Sequence, residues 1–258
     1  MAVSFLTIDS TMKNKLKKAL VSLLVVVFWI CVWDVAAFLA KRPLILPSPR
    51  ATGEALITLL GTGEFYSVVL ATLLRVTLGL VLGIVLGIAV AILCHRFSPA
   101  KTILSPIISV IRSTPVASFI VLLWVMLDGN MLTITVAFLM VMPIVWQNTM
   151  DGFASIPQEL VEVAQVYELS LKRRYEILVF PVLSGYIFPA IITSVGLAWK
   201  SEVAAEIIAY TKDSIGMHIN DAKSLLLTES VFAWTIVIII TSICLEVLLK
   251  KLWGRVNK

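Results

Sequence analysis

Groups able to bind, titrate or attack are few in this 258-residue chain, and they gather in a few places. His95 and His218 stand far apart with no ligand-spaced Cys, Asp or Glu beside them, so no metal site is expected. Cys31, Cys94 and Cys244 lie in or beside apolar runs, and three thiols do not make a disulfide framework. Neither an H-E-x-x-H pattern nor a Ser-His pairing is present, and no G-x-x-x-x-G-K-[S/T] loop occurs to cradle a phosphate. No catalytic residue is therefore assigned, and no cofactor is expected on the chain itself. What remains is a mixed-charge segment from Asp151 to Val179, a cluster formed by Lys200, Glu202 and Glu206, and Arg75 inside an apolar run.

The elements that position these groups are set by composition. The chain is 59% hydrophobic and only 14% charged, against roughly a quarter charged in a soluble domain, and its mean hydropathy is +0.99. That is more apolar surface than one soluble core of this length buries, which points to an all-α polytopic membrane protein. Six stretches are long enough to span a bilayer, near 19–40, 68–94, 103–127, 131–150, 180–199 and 231–249. The first is too long for a signal peptide and no small-x-small cleavage pattern ends it. Thirteen Lys and Arg fall on the side holding both termini and the 151–179 loop: Lys13, Lys15, Lys17 and Lys18; Arg96 and Lys101; Lys172, Arg173 and Arg174; Lys250, Lys251, Arg255 and Lys258. Six fall on the other side, so both termini and that loop are expected in the cytoplasm. The formal charge of +5 is then explained by cytoplasmic loops, and no nucleic-acid partner is expected. No internal repeat is visible, and residues 1–258 read as a single transmembrane domain.

Within the loop, Leu160, Val163, Ala164 and Tyr167 recur at helical spacing, while Glu159, Glu162, Gln165 and Glu168 take the other side. Pro157 suits the first turn of this short amphipathic helix, and Ser170 can cap a second helix running through Lys172, Arg173 and Arg174 toward Pro181. On composition alone the element is a membrane-surface helix. Glu162 and Ala164, with Pro181 nineteen residues after Glu162 and preceded by Leu178 and Phe180, resemble the Glu-Ala-Ala signature of binding-protein-dependent ABC importer permeases. Val163 replaces the first Ala of that signature and Glu168 its Gly. Because Gly takes a left-handed conformation that Glu resists, the expectation is a turn built differently or a longer first helix. The resemblance runs over about 44–250. It includes Leu46-Pro47-Ser48-Pro49, Leu74-Arg75-Val76, Arg112-Ser113-Thr114-Pro115 and the stretch from Ala198 to Glu206, which look like the nitrate, sulfonate and taurine branch.

Gly79, Gly83 and Gly87 repeat every four residues, a spacing that lets helix backbones approach closely, and are read as helix packing. For Arg75, near the outer end of its span, two readings stand: snorkelling to the interface, or a place in a pathway. Pro106, Pro115 and Pro143 favour kinks that suit either a lined pathway or plain packing. Glu202 and Glu206 share a helical face next to Lys200. Either the span ends at Trp199 and releases all three to water, or they form an outer gate at which Lys200 attracts an anion. Asp34 and Asp128 look interfacial and are given no function.

The resemblance implies the type I importer permease fold with six transmembrane helices, set in a bacterial cytoplasmic membrane. It implies a homodimer with a second copy of the chain, two ABC ATPase subunits, an extracytoplasmic solute-binding protein and surrounding membrane lipid. ATP and Mg would sit on the ATPase partner, where Leu160, Glu162, Val163, Ala164, Tyr167 and Glu168 would dock. The implied cargo is a small solute, anionic as a sulfonate, taurine or nitrate is, with a thiamine precursor, riboflavin or an aromatic acid as the alternative. A membrane enzyme lacks convergent catalytic groups, and a secondary transporter lacks the expected repeat or mid-span charge.

Overall fold

The computed structural model describes residues 2–256, so Lys258, counted above in the tail, lies outside the described residues, as do the side chains of Lys13, Lys15, Lys18 and Arg255. Among the described residues the secondary structure is helical: α1 (Ala2–Ala40), α2 (Pro49–Leu60), α3 (Gly63–Arg96), α4 (Ser98–Ser113), α5 (Val116–Trp124), α6 (Gly129–Ala154), α7 (Gln158–Val166), α8 (Leu171–Arg174), a π-helical turn at Tyr175–Val179, α9 (Phe180–Ala209), α10 (Ile215–Ser224) and α11 (Thr228–Val256). Five helices are long and apolar enough to cross a membrane, or six if the bent pair α4 and α5 is one span. The helix starts follow local chemistry. Ser48, Thr62 and Asp128 each accept a backbone N–H three residues on, capping α2, α3 and α6. Asp128 thus has a structural task.

The third span is not one straight helix. α4 and α5 meet at a 100° bend. The physical reason is Pro115, which has no N–H to give and pushes the preceding Thr114 into an extended conformation, φ −79° and ψ 129°. Pro106 and Pro143, by contrast, lie inside α4 and α6 without ending them. The fifth span also differs from the 180–199 reading. It runs from Leu171 to Ala209 as α8, the π turn and α9, so the helix expected to lead toward Pro181 passes through it. Pro181 cannot donate to the carbonyl four residues back, and the turn just before it widens to π geometry.

The chain divides into two compact units. In the first, 2–61 with 222–234, Trp33 donates from Nε1 to the Pro47 carbonyl at 3.0 Å and stacks on Phe232, while the Thr228 hydroxyl donates to the Leu44 carbonyl at 2.8 Å. None of the Leu20–Ala40 apolar span is buried within the chain.

In the second, 62–221 with 235–256, α3, α6 and α9 form the packed centre. Lipid is as apolar as leucine, so helices in a bilayer associate through close van der Waals approach. The seam between α3 and α6 depends on that approach. A Cβ at Gly79 would lie 2.6 Å from both the Ala137 Cβ and the Ile134 carbonyl, at Gly83 2.6 Å from the Val141 Cβ, and at Gly87 2.9 Å from the Met142 carbonyl. Ala137, Val141 and Val145 are buried against this seam. On the other faces of α6, Ile120 of α5 packs with Leu132, Ala205 and Ala209, and Ile108 of α4 with Ala91, Cys94 and Trp146. Within α9, the fully buried Trp199 donates from Nε1 to the Ile238 carbonyl at 3.0 Å.

Gly83→Leu should force α3 and α6 apart and lower stability by about 1–3 kcal/mol or more, read as a lower unfolding temperature in detergent. Gly53→Ala, where a Cβ meets nothing within 4 Å, should leave it unchanged.

Candidate functional site

Of the residues singled out from sequence, Arg75 and Glu206 are brought together. Arg75 lies on α3 four residues before Gly79, on the face that meets α6, and its side chain is 11% exposed. Its Nη1 donates to Glu206 Oε1 at 3.1 Å and its Nε to Asn130 Oδ1 at 2.9 Å. The same guanidinium donates to the carbonyls of Lys212 at 3.0 Å and Asp213 at 3.2 Å. Those carbonyls belong to the short connection between α9 and α10, which has left the helical ladder and must find donors elsewhere. A planar fork of five N–H groups meets that demand in a way an ammonium does not.

Glu206 is fully buried and equally occupied. Oε1 also accepts from the Thr72 hydroxyl at 2.8 Å, and Oε2 accepts the Gly216 N–H at 3.1 Å. Gly216 is in the first turn of α10, so the carboxylate sits at the positive end of that helix. The Thr72 hydroxyl in turn accepts the Ile215 N–H at 3.2 Å. A Cβ on Gly216 would lie 2.4 Å from the Glu206 Cβ, so only glycine lets α10 start this close to α9. Ser214, bonded to the Thr211 carbonyl at 2.6 Å, caps α10 through the Met217 N–H at 3.0 Å. Outside the span, the Tyr210 hydroxyl donates to Asp221, a bond that raises its phenol above the usual range.

Arg75 therefore neither snorkels nor stands alone. The reading in which the helix ends at Trp199 and frees the cluster to water is overturned, because α9 continues to Ala209 and buries Glu202 and Glu206 completely. Both oxygens of Glu202 lack a hydrogen-bond partner among the described residues. Lys200 is exposed and does not join the cluster. Thr72, Asn130 and Gly216 were missed from sequence. Thr72 and Gly216 carried a faint signal, a polar residue on the face of α3 that carries the small residues and a glycine just after a charged turn; Asn130 carried none.

At the other site, α7 ends in a Schellman turn. Glu168 N–H bonds the Gln165 carbonyl at 2.9 Å and Leu169 N–H the Ala164 carbonyl at 3.1 Å, with Glu168 at φ +50°. This corrects the expectation of a different turn or longer helix: Glu168 adopts the left-handed conformation that glycine would take there, and α7 stops at Val166. Ser170 then accepts the Arg173 N–H at 3.3 Å and opens α8. Along α7 only Ala164 is buried; Leu160, Val163 and Tyr167 of the apolar face are exposed, as are Glu162 and Val166.

Arg75→Met should strand a buried carboxylate and the 212–213 carbonyls and destabilise by about 3–5 kcal/mol; adding Glu206→Met should return much of that loss, measured by thermal unfolding in detergent. Glu168→Gly should stabilise the end of α7 by about 1 kcal/mol, seen as slower amide exchange at Glu168 and Leu169.

Residues 83–258 match the family described as binding-protein-dependent transport system inner membrane component. The chain is 31% identical over 235 residues to the taurine transport system permease protein TauC of Escherichia coli (strain K12), covering 87% of this chain and 84% of that one. It is 25% identical over 211 residues to the putative aliphatic sulfonates transport permease protein SsuC of Bacillus subtilis, covering 81% and 76%. With the bicarbonate transport system permease protein CmpB of Synechococcus elongatus it shares 27% over 221 residues, covering 81% and 79%. Its fold is similar to a solved amino acid ABC transporter with histidines, with a TM-score of 0.59 at 17% identity over 74% of this chain and 91% of that one. With its apolar helices and this match over most of its length, the chain belongs to the family of binding-protein-dependent transport system inner membrane components and is a multi-pass membrane permease of the ABC importer kind.

Proposed function

We propose that the chain is the membrane-spanning subunit of an ATP-driven importer, acting as one domain in a homodimer with two ATPase subunits that carry ATP and Mg, and fed by an extracytoplasmic solute-binding protein. The observation that carries this reading is α7. It holds on through Ala164 alone and presents Leu160, Val163, Val166 and Tyr167 outward beside Glu162, an apolar patch fitted to the groove of a cytoplasmic partner. α7 sits between α6 and the long span that begins at α8. Force applied to it passes to two of the three central helices. Both termini lie in the cytoplasm by the basic-residue bias. Switching between inward and outward opening follows from the different contacts that ATP-bound and ATP-free cassettes make with α7.

The cargo is a small anion of the sulfonate, taurine or nitrate kind, supported by the solutes for which the relatives are named and by Lys200, an exposed cation beside the buried end of α9. In proteoliposomes holding permease and ATPase subunits with the binding protein outside, sulfonate uptake should require ATP. Glu162→Lys should lower uptake at least tenfold through loss of ATPase association or coupling, and full transport by that variant would defeat the docking role of α7. Lys200→Gln should weaken uptake with assembly intact; unchanged rates would remove Lys200 from the pathway.

A further inference from the structure

A cavity of about 510 Å³ opens between α4 and α6, at the end of the bundle that leads into α7. One wall is a single face of α4, on which Lys101, Ser105, Ser109 and Arg112 recur at helical spacing with no acidic residue among them. Lys101 makes no ion pair among the described residues, and His95, stacked on Phe153 with ring centroids 4.0 Å apart, closes the side. The facing wall carries Asp151 and Trp146. Trp146 is 6% exposed, and its indole Nε1–H has no acceptor among the described residues.

The charges of the two walls are held apart. Arg112 Nη1 donates to Gln147 Oε1 at 3.1 Å, and Gln147 Nε2 donates to Asp151 Oδ1 at 2.8 Å, so the amide stands between guanidinium and carboxylate. A bare anion would find Asp151 opposing it, and a bare cation would meet Lys101 and Arg112. A molecule with an oxyanion at one end and an ammonium at the other would satisfy both walls, with hydroxyl donors at Ser105 and Ser109 for the oxyanion.

We propose that this cavity is a binding site for a small zwitterion, an amino-substituted sulfonate or carboxylate, its oxyanion on Lys101 and Arg112 and its ammonium on Asp151. Bound there, the ligand ties α4 to the last turns of α6, directly before the segment that enters α7, and restrains the movement transmitted along it. Solute accumulated on that side would then slow its own import. The proposal rests on the permease reading only for the source of the ligand.

The test uses the complete permease and ATPase complex in nanodiscs, without the solute-binding protein, and equilibrium binding of radiolabelled 2-aminoethanesulfonate. Saturable binding is expected, with ethanesulfonate and 2-aminoethanol each competing at least tenfold more weakly. Lys101→Ala should weaken binding at least tenfold. Asp151→Asn should erase the preference over ethanesulfonate, with both variants eluting as intact complexes of unchanged unfolding temperature. Absent binding, equal competition by ethanesulfonate, or binding indifferent to both variants would overturn the site. Uptake assayed separately with the binding protein tells the two readings apart: wild-type binding without any uptake leaves the site standing and removes the importer reading, whereas full uptake with no binding does the reverse.

Discussion

A chain that leaves the helical ladder inside apolar surroundings must hand its free carbonyls to some donor, and for the connection after α9 that donor is Arg75. α9 gives out at Ala209, the chain turns through Lys212 and Asp213, and α10 begins at Ile215. The guanidinium takes both connecting carbonyls, while Thr72 takes the Ile215 N–H and Glu206 the Gly216 N–H in the first turn of the next helix. Burying a charge pair costs several kcal/mol per ion unless every lone pair and proton is occupied. Here the occupation is shared among Thr72, Asn130, Gly216 and the backbone. α3, α6, α9 and α10 are thereby tied at one end by a single polar knot, and the approach of α3 to α6 places Arg75 within reach of its partners.

Much of this architecture is written in periodicity. The six apolar runs, the glycine step of four and the short mixed-charge helix are each one-dimensional patterns, and a pattern of that kind survives into the fold because lipid and close packing reward it locally. The Ser170 cap was legible for the same reason: its partner is three residues away. Glu206 was legible as a charge that should not be there, whereas its pairing with Arg75 was not, since the two are separated by 131 positions and meet only once three helices have packed.

Two misreadings have a shared physical origin. Ending the fifth span at Trp199 assumed that Lys200, Glu202 and Glu206 all seek water; Lys200 is exposed, but Glu206 has partners inside the fold, and the helix runs on with both carboxyl groups buried. Expecting Glu168 to refuse a left-handed turn weighed one residue's backbone preference against nothing. In the fold the preference, about 1–2 kcal/mol, competes with two helix-closing hydrogen bonds and with the capped start of α8, and it loses. The bend at Pro115 differs in kind: proline was recognised as disruptive, but whether a disruption becomes a slight kink or a right-angle turn is decided by packing, as Pro106 and Pro143, which interrupt nothing, make plain.

The glycine seam also distributes stiffness. Backbones in direct contact along three successive helical turns leave no slack for α3 and α6 to slide or roll, so those two helices behave as one beam. Compliance must then be concentrated where the hydrogen-bond ladder is already irregular, at the right-angle bend before α5 and in the widened turn ahead of α9. In mechanical terms this second unit holds a rigid spar with two built-in joints, and α7 lies on the spar side of the second of them.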